Sequence, residues 1–144
     1  MRAELFRNWA PAVVWALVIL ALSGEGGSSR NTEGVILRLF PDLGPDAIFY
    51  INYSLRKGAH VTGYAILGLL NFRALGWRLA GPAIGLAGLV AIIDEAHQAT
   101  STLRTPALAD IGFDLCGAAL AVMIARGARG PRATSPATTN PRES

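Results

Sequence analysis

Three short stretches hold most of the concentrated polar chemistry of this chain: Arg56-Lys57-x-x-His60-x-x-x-Tyr64, Asp94-Glu95-x-His97-Gln98 and Arg104-x5-Asp110-x3-Asp114. Each stands at the end of a long apolar segment. Charge near a bilayer is costly unless it is paired, hydrated or snorkelled, so three such clusters at matching depth point to one shared site. Lys57 and Arg104 could hold a phosphate-like anion, the lysine as a point charge and the arginine through its planar fork. His60 with Glu95 or Asp110 could supply an acid and a base at matched reach.

Helical spacing brings each cluster onto a face. Lys57, His60 and Tyr64 stand at i, i+3, i+7, and Asp110, Asp114 and Gly117 at i, i+4, i+7. Glu95 and Gln98 share a face with Ala91, while Asp94 sits to the side of that line and pairs sideways with Gln98. His97 is off the line as well and is left out of the site, and Arg56 reads best as a residue snorkelling to head groups. Candidates for the acid-base roles are His60, Glu95 and Asp110.

The elements that must position these residues are long apolar helices. Of the 144 residues 51% are hydrophobic and only 16% charged, which is too few charges for an ordinary soluble domain. About 20 helical residues cross the hydrocarbon core, and four windows approach this length: 6–23, 58–76, 80–99 and 107–126. The expected fold is an all-α integral membrane protein with four transmembrane helices. The domain covers 1–126, and residues 127–144, rich in Pro, Thr, Ser and Arg, form a disordered tail. Arg2 and Arg7 before a short apolar run ending in Ala21-Leu22-Ser23 also fit a signal peptide, but Pro11, Trp9 and Trp15 favour a retained first helix.

Between the first two spans, residues 24–57 are patterned. A Gly/Ser stretch leads to Asn31-Thr32-Glu33, an N-cap for a short helix that Pro41 ends, and Pro45-Asp46 starts another. Both suit interfacial helices at the membrane surface. Glycines 63, 68, 85, 88 and 117 read as positions of close helix packing.

The net charge of +3 is topological, because no basic patch interleaved with aromatic residues suggests nucleic acid. With the N-terminus inside, eight Lys and Arg residues fall on the cytoplasmic side and five on the other. The expectation is a multi-pass cell-membrane protein with both termini cytoplasmic, its three clusters meeting at the outer leaflet. Cys116 is the one cysteine, so neither a disulfide nor a thiolate metal site is expected.

The motifs taken together resemble the VanZ-like family, small integral membrane proteins named for a teicoplanin-resistance protein. Members show a basic residue followed by x-x-His and then Tyr four residues on, a Glu-x-x-Gln, an Arg soon after, and an Asp-x3-Asn-x2-Gly opening the last helix. Here these are Lys57-x-x-His60-x-x-x-Tyr64, Glu95-x-x-Gln98, Arg104 and Asp110-x3-Asp114-x2-Gly117, and the resemblance covers about residues 5–125. Asp114 stands where the family usually has Asn, and Thr105-Pro106-Ala107-Leu108-Ala109 replaces an aromatic-acidic pair. The resemblance selects Lys57, His60, Tyr64, Glu95, Gln98, Arg104, Asp110 and Asp114 as the site, with Lys57, Tyr64, Gln98, Arg104 and Asp114 binding, and it demotes Arg56, Asp94 and His97. It implies a link to glycopeptide susceptibility without implying a reaction, and it supports the retained first helix.

Two functional readings follow. The leading one is a membrane enzyme or binder acting on an anionic envelope lipid or lipid-linked intermediate, with membrane lipids as partners. The other is a scaffold whose charges form a helix-packing ion network, an expensive way to pack four helices because buried ion pairs gain little net stability. No cofactor is expected. A metal bound by His60, Glu95, His97 and Asp110 ranks third, because those ligands show no tight His-x3-His spacing. A proton pathway ranks last.

Overall fold

The computed structural model describes residues 2–23, 29–99 and 108–130. Among them the chain is all α, with five helices: α1 (Arg2–Leu22), α2 (Ser29–Leu39), α3 (Pro45–Ala74), α4 (Ala80–Ala99) and α5 (Leu108–Ala128). Two segments, Ala3–Leu22 and Ala109–Ala128, are long and apolar enough to cross a membrane, where four such segments were expected. The polar clusters of α3 and α4 account for the difference, because they dilute any window long enough to span.

The two interfacial helices expected before the second span are one separate helix and one extension. α2 begins at Ser29, ahead of the expected cap, and ends before Pro41. The segment from Pro45 is continuous with the second span in the 30-residue α3. Pro45 sits in the first turn, where its missing N–H costs nothing, and no residue from there to Gly58 breaks a helix. Gly58 itself costs only about 1 kcal/mol in a helix interior. At the other terminus α5 continues to Ala128, past the expected start of the tail; the tail from 131 onward lies outside the described residues.

α3 is the central element and packs most extensively on α5, then on α4 and α1. The interior is built from small residues around a few large ones. Tyr64 and Leu67 meet Ala87, Ala91 and Ala118, and Phe72 meets Ala80, Ala83 and Val122. A Cβ at Gly117 would lie 2.4 Å from the Val61 carbonyl oxygen, and one at Gly68 would lie 3.1 Å from Ala118, so α3 and α5 touch backbone to backbone. Gly88 admits Leu115 in the same way, at 2.9 Å. Gly85 faces nothing within 4 Å and Gly63 meets only Ile19 at 3.8 Å, so these two are not close-packing positions.

Large apolar side chains face outward: Val13, Val14 and Leu17 on α1, Leu89 and Ile92 on α4, Leu120 and Ile124 on α5. Small residues inside and large apolar ones outside reverse the usual order of a water-soluble bundle and suggest a membrane protein. α3, α4 and α5 run down, up and down through the bundle. The first half of α3, the end of α4 and the start of α5 therefore share one end, which α1 joins through its last turns. There the Trp15 indole N–H donates to the Gly63 carbonyl at 2.9 Å. At the opposite end the turn after α3 places Trp77 at φ 61°, its N–H bonded to the Phe72 carbonyl at 2.8 Å and its ring under the Arg129 guanidinium at 3.4 Å.

Candidate functional site

α3 and α5 run in the same direction, so a step of one turn on α3 is matched by a step of one turn on α5. Lys57 pairs with Asp110, and one turn deeper His60 Nδ1 lies 3.2 Å from Asp114 Oδ1. The next contact along this seam is Gly117 against Val61, which sets the distance at which both pairs form. The lysine head is further held by the rings of Tyr53 and Phe113, at 5.5 and 5.3 Å. The upper pair is partly exposed and the lower pair runs into the bundle, where Asp114 is 3% exposed.

α4 closes the third side. The Tyr64 hydroxyl donates to Asp94 Oδ2 at 3.4 Å, and the Gln98 amide donates to the same oxygen at 3.3 Å. Gln98 also donates to Ser23 Oγ at 2.7 Å, which ties the end of α1 to the site. Asp94 is 1% exposed, and its other oxygen, Oδ1, is buried without a hydrogen-bond partner among the described residues. One nitrogen or oxygen from each of His60, Asp94 and Asp114 lies within 4.8 Å of the others. The His60 and Tyr64 rings stack at 6.4 Å beside this cluster.

A cleft of about 900 Å³ opens between α1, α2 and α3. Its walls are mainly apolar, with Trp15, Val18, Ile19 and Leu22 on α1, while His60, Tyr64 and Asp94 line its polar part. Arg56 and Thr32 also border it. Such a volume and lining, apolar with a few convergent polar groups, are those of a small-molecule site.

Set against the sequence expectations, the structure brings Lys57, His60, Tyr64, Gln98, Asp110 and Asp114 to one end of the bundle. Glu95 is buried at the same end of α4. Two assignments change. The partner of His60 is Asp114, not Glu95 or Asp110, because the parallel α3–α5 register gives Asp110 to Lys57. Asp94, set aside from the sequence, is at the centre of the buried cluster, and its i, i+4 relation to Gln98 was the signal that could have included it. Ser23 was missed too, since its only sequence reading was as a cleavage residue. Arg56 lines the cleft, His97 is exposed, and Arg104 lies outside the described residues.

The VanZ/LLP1 family model matches residues 9–129, which takes in α1 from Trp9 and the whole of α2 to α5. The chain belongs to the VanZ/LLP1 family. No curated protein and no solved structure matches it. For this VanZ/LLP1 chain the geometry gives three of the resembling motifs a physical reason. The basic-x-x-His pair meets the Asp-x3-Asp pair rung for rung, Tyr64 and Gln98 meet at Asp94, and Gly117 is where two backbones cross.

Proposed function

We propose that this VanZ/LLP1 protein is a multi-pass envelope membrane protein with four spanning helices and both termini cytoplasmic. Its polar end, at the outer leaflet, binds or processes an anionic lipid or lipid-linked envelope intermediate. The observation that carries this reading is the cleft, in which an apolar trough along α1 runs up to His60, Tyr64 and Asp94. A chain-and-head-group molecule has the same division. The hydrocarbon would lie against Val18, Ile19 and Leu22, and the head group would sit toward Arg56 and His60, with Lys57 and Arg104 supplying further positive charge. A link to glycopeptide susceptibility follows from the family resemblance and would act through such an intermediate.

The test is mass spectrometry of lipid that co-purifies in mild detergent, alongside teicoplanin susceptibility of an expressing host. Wild type should retain a defined anionic lipid. Ile19→Trp should expel that lipid while the protein stays inserted, and His60→Ala, Glu95→Gln and Arg104→Lys should each abolish the susceptibility phenotype. Lipid content indistinguishable from the bulk membrane in wild type and Ile19→Trp alike would refute the reading.

A second reading is a non-catalytic scaffold, favoured by the two cross-helix pairs Lys57–Asp110 and His60–Asp114. Under it the same three substitutions lower yield and insertion together, with no separate loss of phenotype.

A further inference from the structure

The buried cluster has a composition that a packing network does not account for. Two nearly inaccessible carboxylates, Asp94 and Asp114, converge on one imidazole, and the lysine one turn away is already engaged by Asp110. Like charges crowded in a dry site repel strongly. A cation removes that repulsion.

We propose that His60, Asp94 and Asp114 bind a divalent transition-metal ion of the Zn²⁺ or Mn²⁺ type. Three observations carry this. The ligand atoms are already gathered within 4.8 Å of one another. Ligands at about 2.0–2.1 Å from a tetrahedral ion stand roughly 3.4 Å apart, and His60 Nδ1 and Asp114 Oδ1 are at 3.2 Å, so a modest inward movement of Asp94 completes the set. Second, Asp94 is divided in use. Tyr64 and Gln98 both donate to Oδ2, while Oδ1 is buried and unbonded among the described residues, although a buried carboxylate oxygen ordinarily finds a partner. A metal supplies that partner, and the two donors fix the carboxylate as outer partners of ligands do.

Third, the donor set is selective. One imidazole with two carboxylates suits Zn²⁺, Mn²⁺ or Fe²⁺, whereas Mg²⁺ and Ca²⁺ prefer oxygen alone and soft ions want thiolate. Cys116, the chain's only thiol, lies outside the cluster. Three protein ligands leave a coordination position, and His60 and Asp94 both line the cleft, so that position can face whatever enters there. The set differs from the His60, Glu95, His97 and Asp110 combination weighed from the sequence, which shows no tight ligand spacing. Its third ligand, Asp114, is the residue at which this chain departs from the resembling family pattern. The proposal stands whether or not the cleft takes a lipid.

The test uses full-length protein purified in detergent, dialysed against chelator, and titrated with Zn²⁺, Mn²⁺ or Co²⁺ alone. Elemental analysis should find one ion per chain before chelation. Chelation should lower the melting temperature and added Zn²⁺ should restore it, and Co²⁺ should give the visible bands of nitrogen-oxygen coordination. Asp94→Asn and Asp114→Asn, which keep side-chain shape, should lose stoichiometric binding. Tyr64→Phe should weaken it by about 10–100-fold, and Asp46→Asn, at an exposed position in the first turn of α3, should leave it unchanged. Metal content at buffer background in wild type overturns the proposal, as does stoichiometric binding that survives both Asn variants. Should those variants fail to fold, the wild-type chelation and Co²⁺ measurements decide alone.

Discussion

Replacing Gly117 with alanine tests whether one backbone contact sets the geometry of the whole site. The new Cβ would stand 2.4 Å from the Val61 carbonyl oxygen and 3.1 Å from its carbonyl carbon. Carbon-oxygen contacts between packed helices settle at about 3.3–3.6 Å, so α3 and α5 must separate by about 1 Å. Neither group is a flexible side-chain end that could swing aside. Overpacking of this kind costs about 1–3 kcal/mol, and the backbone origin of the clash argues for the upper end. Alanine returns about 1 kcal/mol of helix propensity, which leaves a net loss of about 2 kcal/mol. For a chain of this size that is a fall of about 4–8 °C in Tm. The same separation would carry the 3.2 Å His60–Asp114 contact beyond hydrogen-bonding range. The control is Gly85→Ala, where nothing lies within 4 Å and only the propensity gain remains. Thermal melts of the two variants in one detergent measure the difference directly. If Gly117→Ala melts at or above Gly85→Ala, the close α3–α5 approach does not hold the site together, and the rung-for-rung account of the motifs fails with it.

Other outcomes follow from single contacts. Trp15→Phe keeps the ring but removes the N–H donated to the Gly63 carbonyl, and should cost about 1 kcal/mol while raising protease or cross-linker access to α1. A double-mutant cycle on Lys57 and Asp110 should give about 0.5–1 kcal/mol, since the pair is partly exposed. The corresponding cycle on His60 and Asp114 should give more, because Asp114 is buried, and an equal or smaller value would contradict the burial ordering. Cys116 is exposed on α5 within a segment able to span a membrane. In intact membranes it should react with a lipid-soluble maleimide and resist a charged, impermeant one; labelling by the impermeant reagent would place this face in water.

Legibility from the sequence divides along physical lines. Apolar windows at 80–99 and 107–126 marked α4 and α5 to within a residue or two, because each carries a long apolar run that ends or begins in polar residues. The junction between the expected surface helix and the second span was not legible: α3 is unbroken, and hydropathy marks where a helix enters an apolar environment, not where its backbone ends. The same-helix relations Lys57–His60 and Asp110–Asp114 followed from periodicity. Their cross-helix partners did not, since pairing depends on register between α3 and α5, which Gly117 and Val61 fix by contact and no periodicity encodes. Asp94 was lost for a related reason. The family pattern leaves it out, spacing along α4 places it beside the Glu95–Gln98 line, and its contact with Tyr64 depends on the neighbouring helix.

The charge balance of the assembled end gives the site its sharpest requirement. Asp94 and Asp114 are buried together beside His60, and Asp110 is taken by Lys57. His60 can offset one carboxylate at most, so the buried acids outnumber the cation held among them. Removing carboxylates from water costs several kcal/mol each unless a compensating charge is close. Arg104, outside the described residues, and a metal ion at His60, Asp94 and Asp114 are two candidates for that charge. Only the ion is proposed to sit at the buried Oδ1 of Asp94. Arg104→Gln should therefore leave metal stoichiometry intact while weakening retention of an anionic lipid, and Asp94→Asn should do the reverse. If both substitutions remove both properties, the charges act as one inseparable network, and the division into an ion site and an anion site is wrong.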